Sequence, residues 1–169
     1  SASIKHDKER YEHKYEYCDL LIVGSGPSGL ASAYAAAKNG AKIILAEDKS
    51  RFGGSLLTSE VTIGNQSGQE WSEKIISELK SMPNVIVKNR SQVFGYYDHN
   101  MLVMSERVSD HLPKTDKYIP KQRLWYIRAN EVIISSGSIE RPLVFGNNDT
   151  PGVMLSSAAK EYLKVYGVL

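Results

Sequence analysis

Leu20-Leu21-Ile22-Val23 is an unbroken apolar run closed by Gly24. Runs of this kind, with no polar alternation, belong to strands buried on both faces. Gly26-Pro27-Ser28-Gly29 then turns the chain, and the alanine-rich stretch from Ser28 to Asn39 reads as a helix with Gly40 as its terminator. Ile43-Ile44-Leu45-Ala46 is a second buried strand. Together these make a β-α-β unit, which demands parallel strands and a right-handed crossover. Further on, Ser67-Gly68-Gln69-Glu70 has the form of a capping box. The helix it opens is predicted to run to about Ser81, with Trp71, Ile75, Ile76 and Leu79 as its buried stripe. Pro83-Asn84 breaks it, and Val85-Ile86-Val87 forms a third strand.

The pattern then changes. "SQVFGYYD", "HNMLVMSERVSD" and "KQRLWYIRAN" are three strand-like runs, joined by a tight Asp98-His99-Asn100 turn and a longer loop around Pro113 to Pro120. They predict an antiparallel meander. Glu131 to Ser135 reads as a separate buried strand ending at Ser136-Gly137, and a last helix is expected from about Ser156 to Tyr166. Residues 1–17 are polar and charged; they read as a tail or linker and not as a signal peptide. The dinucleotide-binding domain is accordingly placed at residues 18–169.

Composition adds bounds. The 169 residues suit one domain, and a net charge of +2 gives no reason to expect a nucleic acid or membrane partner. No apolar run approaches the roughly 20 residues of a membrane helix. The single cysteine, Cys18, leaves no internal disulfide, CxxC redox pair or cysteine-based zinc site. That suits a reducing, cytoplasmic setting. The four histidines are scattered without metal-ligand spacing, so no metal site and no catalytic residue are expected.

Gly24-Ser25-Gly26-Pro27-Ser28-Gly29 fits GxGxxG between a strand and a helix, with an acidic residue ending the next strand. That context makes the motif a dinucleotide-binding signature. Gly24 permits the turn, Gly26 lets a pyrophosphate approach the backbone, and Gly29 lets the helix pack closely on the strands. The helix N-terminus offers free N–H groups to the phosphates. Glu47, 18 residues after Gly29, is placed to accept hydrogen bonds from a ribose diol. It would repel a 2′-phosphate, although Lys49 and Arg51 lie close by. The paired Gly53-Gly54, with Ser55, suggests backbone running near the cofactor, as do Ser136 and Gly137 after the last strand. A meander after the third strand points to an α/β, Rossmann-like FAD/NAD(P)-binding domain of the two-dinucleotide-binding flavoprotein type, incomplete at its C-terminus. That fold takes FAD or NAD at this unit, and the motif does not choose between them.

On "CDLLIVGSGPSGLASA", "EDKSRFGGSLL", "VFGYYDHN" and "LWYIRANEVIISSGSIERPLVFGNNDTPGVMLSSAAKEYLKVYGV", the chain resembles the α subunits of heterotetrameric sarcosine oxidases. The resemblance covers nearly the whole chain from about residue 9. "IERPLVFGNNDTPGVML" is far more specific than the glycine motif, and opine-oxidase-type subunits match it less well. The family oxidises sarcosine to glycine with oxygen, releasing hydrogen peroxide and formaldehyde or methylenetetrahydrofolate. Its FAD lies in the β subunit, its FMN at the α/β interface, and the segment corresponding to this chain binds NAD⁺. The resemblance implies NAD⁺ contacts at Ser28, at Glu47, Asp48 and Lys49 by the adenosine ribose, at Ser55, and at the backbone of Val93 by the adenine. The family more often has Asp-Glu-Arg at 47–49 and Ala-Thr-Gly-like residues at 135–137, changes that keep size or charge. Its α subunits are much longer, so the resemblance implies a middle piece, with the rest of the α subunit and the β, γ and δ subunits as partners.

Two other readings stand beside this one. The domain can belong to another flavin-dependent amine or opine oxidoreductase, with FAD at the same motif. Tyr96, Tyr97, Trp125 and Tyr126 can instead form an exposed aromatic patch for docking, and former interfaces can drive homodimerisation.

Overall fold

A computed structural model describes residues 9–113, 116 and 118–168. The first eight residues of the expected tail and three residues of the Pro113–Pro120 loop therefore lie outside the described residues. In chain order the elements are β1 (Tyr11–Val23), α1 (Pro27–Lys38), β2 (Ile43–Ala46), a 3₁₀ turn (Gly54–Leu57), β3 (Thr62–Ile63) and β4 (Gln66–Ser67). There follow α2 (Gly68–Ser81), β5 (Val85–Lys88), β6 (Ser91–Tyr97), a short turn at Asp98–Asn100, β7 (Met101–Arg107), β8 (Gln122–Ile134) and α3 (Ser156–Tyr166).

Six strands form one sheet in the order β5-β2-β1-β8-β7-β6. β5, β2, β1 and β8 run parallel to one another, while β8-β7-β6 is the antiparallel meander. This is the predicted α/β architecture. Alternation along the central strands explains why they read as unbroken apolar runs. Ile22, Ile43 and Leu45 pack under the helices with Leu30, Ala33, Ile75 and Leu79. Leu21, Ile44 and Ala46 face the other way, into a core built with Leu102, Met104, Trp125 and Ile127 of the meander. The sheet curls until the start of β6 meets the end of β2, where the Ser91 N–H donates to the Glu47 carbonyl at 2.8 Å.

The capping box on α2 is present in both directions: Ser67 accepts from the Glu70 N–H, and Glu70 accepts from the Ser67 N–H at 2.8 Å. Ile75, Ile76 and Leu79 are buried as expected, and Trp71 is half-buried.

Three expectations need correction. Residues 11–17 are not tail: they are the first half of β1, paired residue for residue with Gln122–Arg128. Their apparent polarity hides a two-residue period. Tyr15 stacks on Tyr126 and His13 lies parallel to the same ring. On the core side, Glu12 accepts from Arg123 and Lys14 sits over the Trp125 ring. Glu131–Ile134 is not a separate buried strand either. It continues the third meander run as β8, and Ile134 is 64% exposed. Finally, Trp125 is not part of an exposed patch; it is 4% exposed. Tyr96 and Tyr97 remain half-exposed.

Trp125 is held by a polar network inside the meander. Its indole N–H donates to Glu106 Oε2 at 2.7 Å, Lys88 donates to Oε1 at 2.9 Å, and Arg123 bridges Glu106 to Glu12. Burial alone would raise the Glu106 carboxyl, but Lys88, Trp125 and Arg123 together outweigh it and hold the group below its usual value. A carboxyl lowered in the folded state stabilises fully above its unfolded value of about 4.3, and that contribution is lost as pH falls through the folded value. Glu106→Ala is expected to destabilise the chain by roughly 3 kcal/mol in urea unfolding at pH 7, because three donors lose their acceptor. The stability gap between the natural chain and Glu106→Gln should narrow as pH is lowered from 6 to 3.

Candidate functional site

The turn between β1 and α1 lies at the C-terminal edge of the parallel strands, where open α/β sheets bind ligands. Gly24 sits at φ 101°, and a Cβ there would fall 2.4 Å from the Ser135 carbonyl oxygen. A Cβ on Gly29 would fall 2.0 Å from the Gly24 carbonyl oxygen. Both glycines are thus required by packing of the turn on α1 and on the end of β8. Gly26 differs: a Cβ there would meet nothing within 4 Å. Gly26 is the N-cap of α1, Pro27 follows at the first turn, and no side chain caps the helix. The exposed Ser28 lies in that first turn, so the helix N-terminus faces the open space beside Gly26.

The paired glycine closes the other side. Gly53 lies at φ 118° and Gly54 at φ 52°, and a Cβ on Gly54 would be 3.0 Å from the Gly26 Cα. The Gly53 N–H donates to the Ser25 carbonyl at 3.1 Å, fixing this loop to the first. Ser55 is exposed in the 3₁₀ turn that follows. Ser136 and Gly137 are exposed just past β8. Ser135, the first residue of the same small-residue segment, anchors them. Its hydroxyl lies 3.0 Å from both the Val23 and Gly24 carbonyls.

Glu47 is arranged differently from expectation. It directly follows the last residue of β2, but its side chain is turned inward and the residue is only 7% exposed. Oε2 accepts from the Ser25 N–H at 2.9 Å and the Ser25 hydroxyl at 2.5 Å, and Oε1 accepts from the Lys49 N–H at 3.0 Å. Ser25 is itself fully buried. Burial, then the neighbouring Asp48 carboxyl, raise the Glu47 carboxyl above its ordinary value, against the hydrogen bonds from Ser25 and Lys49. Glu47 and Ser25 therefore shape the loop from within, and Asp48 and Lys49 are the residues left exposed at the end of β2. Val93 lies on β6 close by; its half-buried side chain packs on the meander core.

The site thus brings Gly24–Gly29, Glu47–Lys49, Gly53–Ser55 and Ser136–Gly137 to one edge of the sheet. Its chemistry is that of an anion cradle with hydrogen-bonding groups at one end. Cys18, buried in the middle of β1 and away from the turn, supplies no reactive thiol, since burial pushes the thiol up to about 12.

The glycines should separate cleanly in thermal unfolding. Gly29→Ala and Gly24→Ala are expected to lower stability by several kcal/mol, because each forces backbone apart. Gly26→Ala should cost about 1 kcal/mol or less, the difference between a glycine and an alanine N-cap. Glu47→Ala should cost roughly 2–3 kcal/mol, since it leaves buried donors without an acceptor.

Comparison with known proteins agrees with this architecture. The α subunit of sarcosine oxidase from Rhizobium meliloti (strain 1021) is 44% identical over 167 residues, covering 99% of this chain and 17% of that subunit. The corresponding subunit from Corynebacterium sp. (strain P-1) is 38% identical over 96% of this chain, again 17% of its own length. The chain thus spans about one sixth of these relatives. Among solved structures, L-proline dehydrogenase from P. horikoshii superposes with a TM-score of 0.73 over 93% of this chain and 30% of its own, at 22% identity. The model of the FAD-dependent oxidoreductase family matches residues 19–108, from the second half of β1 to the end of the meander's middle strand. With the glycine turn, its paired-glycine partner and the first two strands of the meander in place over those residues, the chain belongs to the FAD-dependent oxidoreductase family.

Proposed function

We propose that this chain is the dinucleotide-binding segment of a sarcosine-oxidase-type oxidoreductase, and that it binds NAD⁺. The observation that carries the reading is the open cradle between Gly26 and Gly54 at the uncapped N-terminus of α1. A helix N-terminus with exposed N–H groups favours a pyrophosphate. Gly26, Ser28, Gly54 and Ser55 would hold the phosphates, and Asp48 would accept hydrogen bonds from the adenosine ribose. Lys49 stands beside it, and Val93 lies where its backbone can meet the adenine. Ser25, Gly29, Gly53 and Glu47 would shape the cradle, with Pro27 presetting the first helical turn and Ser136–Gly137 forming its far wall.

The similarity to sarcosine oxidase α subunits supports the assignment to that type of enzyme. On this reading the whole enzyme oxidises sarcosine to glycine with oxygen. This segment contributes binding and no catalytic group. Its partners are the remainder of its subunit and the β, γ and δ subunits, in the cytoplasm. A bound NAD⁺ would supply a nicotinamide and an adenosine anchored by the residues named above. FAD at the same cradle is a second reading, favoured by the family model that the chain matches.

Calorimetric titration of the chain with NAD⁺ and, in parallel, with FAD decides between them. Saturable binding of NAD⁺ alone is expected. Gly26→Val should abolish it while leaving the fold intact, because the added side chain fills the cradle. Asp48→Ala should weaken it roughly tenfold through loss of a charge-assisted hydrogen bond. Binding of FAD alone would move the site to the second reading, and unchanged affinity in both variants would overturn the placement.

A further inference from the structure

We infer that Glu161 makes the adenosine end of this site selective for an unphosphorylated ribose, by holding Lys49 in an ion pair and so denying it to a 2′-phosphate. The inference rests on the dinucleotide-binding reading above. Where a dinucleotide site ends at the second strand, a carboxylate suits a free 2′-hydroxyl and a nearby cation accommodates a 2′-phosphate. This chain carries both kinds of group there. Exposed Asp48 is followed at once by Lys49. Two arginines join them: the Arg90 N–H donates to the Lys49 carbonyl at 2.9 Å, and the Arg107 N–H donates to the Arg90 carbonyl at 2.9 Å. The Arg107 guanidinium donates to the Asp48 carbonyl at 2.9 Å. The positive charge at this corner would, by itself, favour a phosphate.

α3 alters that balance. It brings Glu161 across from the far end of the sequence, and its carboxylate takes the Lys49 ammonium at 2.8 Å. The pairing raises the Lys49 ammonium above its ordinary value, with Asp48 and Tyr166 adding to the effect. A second pair, Lys164 with Glu60 at 2.7 Å, ties α3 down independently. Glu140 accepts from the Ser157 N–H at 2.9 Å and so caps the start of α3. A cavity of about 340 Å³, lined by Ala158, Glu161, Tyr162 and Tyr166, opens along the helix beside the pair. With Lys49 paired to Glu161 and one Arg107 N–H donated to the Asp48 backbone carbonyl, the carboxylates of Asp48 and Glu161 stand together at this corner. Those groups repel a phosphate and accept from a hydroxyl.

The test compares affinities of the chain for NAD⁺ and NADP⁺. The natural chain should prefer NAD⁺. Glu161→Gln should shift the preference toward NADP⁺ by about fivefold, the scale of one exposed ion pair. Lys49→Gln in the Glu161→Gln background should cancel the gain. Glu60→Gln removes a carboxylate from the second pair of α3 without touching Lys49 or Glu161 and should leave the preference unchanged. If Glu161→Gln leaves the preference unchanged while NAD⁺ still binds, the inference fails and the dinucleotide reading stands. Equal shifts in Glu161→Gln and Glu60→Gln would overturn it too, since they would assign the effect to the loss of one negative charge and not to the Lys49 pair. Failure of the natural chain to bind NAD⁺ would bring down the reading and the inference together.

Discussion

Glu47, through its carboxylate and its backbone, joins three parts of the fold at one point. Its oxygens take the Ser25 N–H and hydroxyl from the glycine turn and the Lys49 N–H from the chain leaving β2. Its backbone N–H donates to Lys88 at the end of β5, and its carbonyl accepts from Ser91 at the start of β6. The parallel sheet, the meander and the glycine turn therefore meet at one residue. A buried carboxylate is costly unless donors surround it. Here three do, and Glu47 acts as a structural joint.

That joint sets what the site can offer. With Ser25 drawn inward, the turn leaves Gly26 facing open space, and the Gly53-Gly54 loop is fastened opposite through Ser25. Packing fixes the outer glycines and leaves the middle one free for a ligand. Stability and binding thus fall on different residues of one short motif. Asp48 and Lys49, left exposed while Glu47 turns in, are the side chains presented to solvent where β2 ends. α3 then adds a charge from a distant stretch of sequence to the same corner.

Much of this was legible in the sequence. The β-α-β unit, the capping box at Ser67 and Glu70, and the tight turn at Asp98–Asn100 depend on local periodicity and local hydrogen bonds, which the order of residues carries directly. The first half of β1 was not, because "YEHKYEY" meets much of its charge with partners more than 100 residues away, Arg123 and Trp125 among them. Asn130 appeared to end a strand, yet inside β8 it donates to Tyr17 and Asp19 across the ladder. The inward turn of Glu47 was hidden for a similar reason. A carboxylate at the end of a strand reads the same whether it faces a ribose or a serine. The Lys49–Glu161 pair left no trace in either local pattern.

The central claim is that the cradle formed by the glycine turn and its paired-glycine partner is the nucleotide site. Amide chemical shifts of ¹⁵N-labelled chain during NAD⁺ titration test it most directly. The account predicts saturable shifts concentrated at Gly26, Ser28–Leu30, Asp48–Lys49 and Gly53–Ser55, with little change at the outer face of β1 or at Tyr96–Tyr97. Shifts confined to the meander face, or none in the glycine turn at saturating NAD⁺, would contradict it.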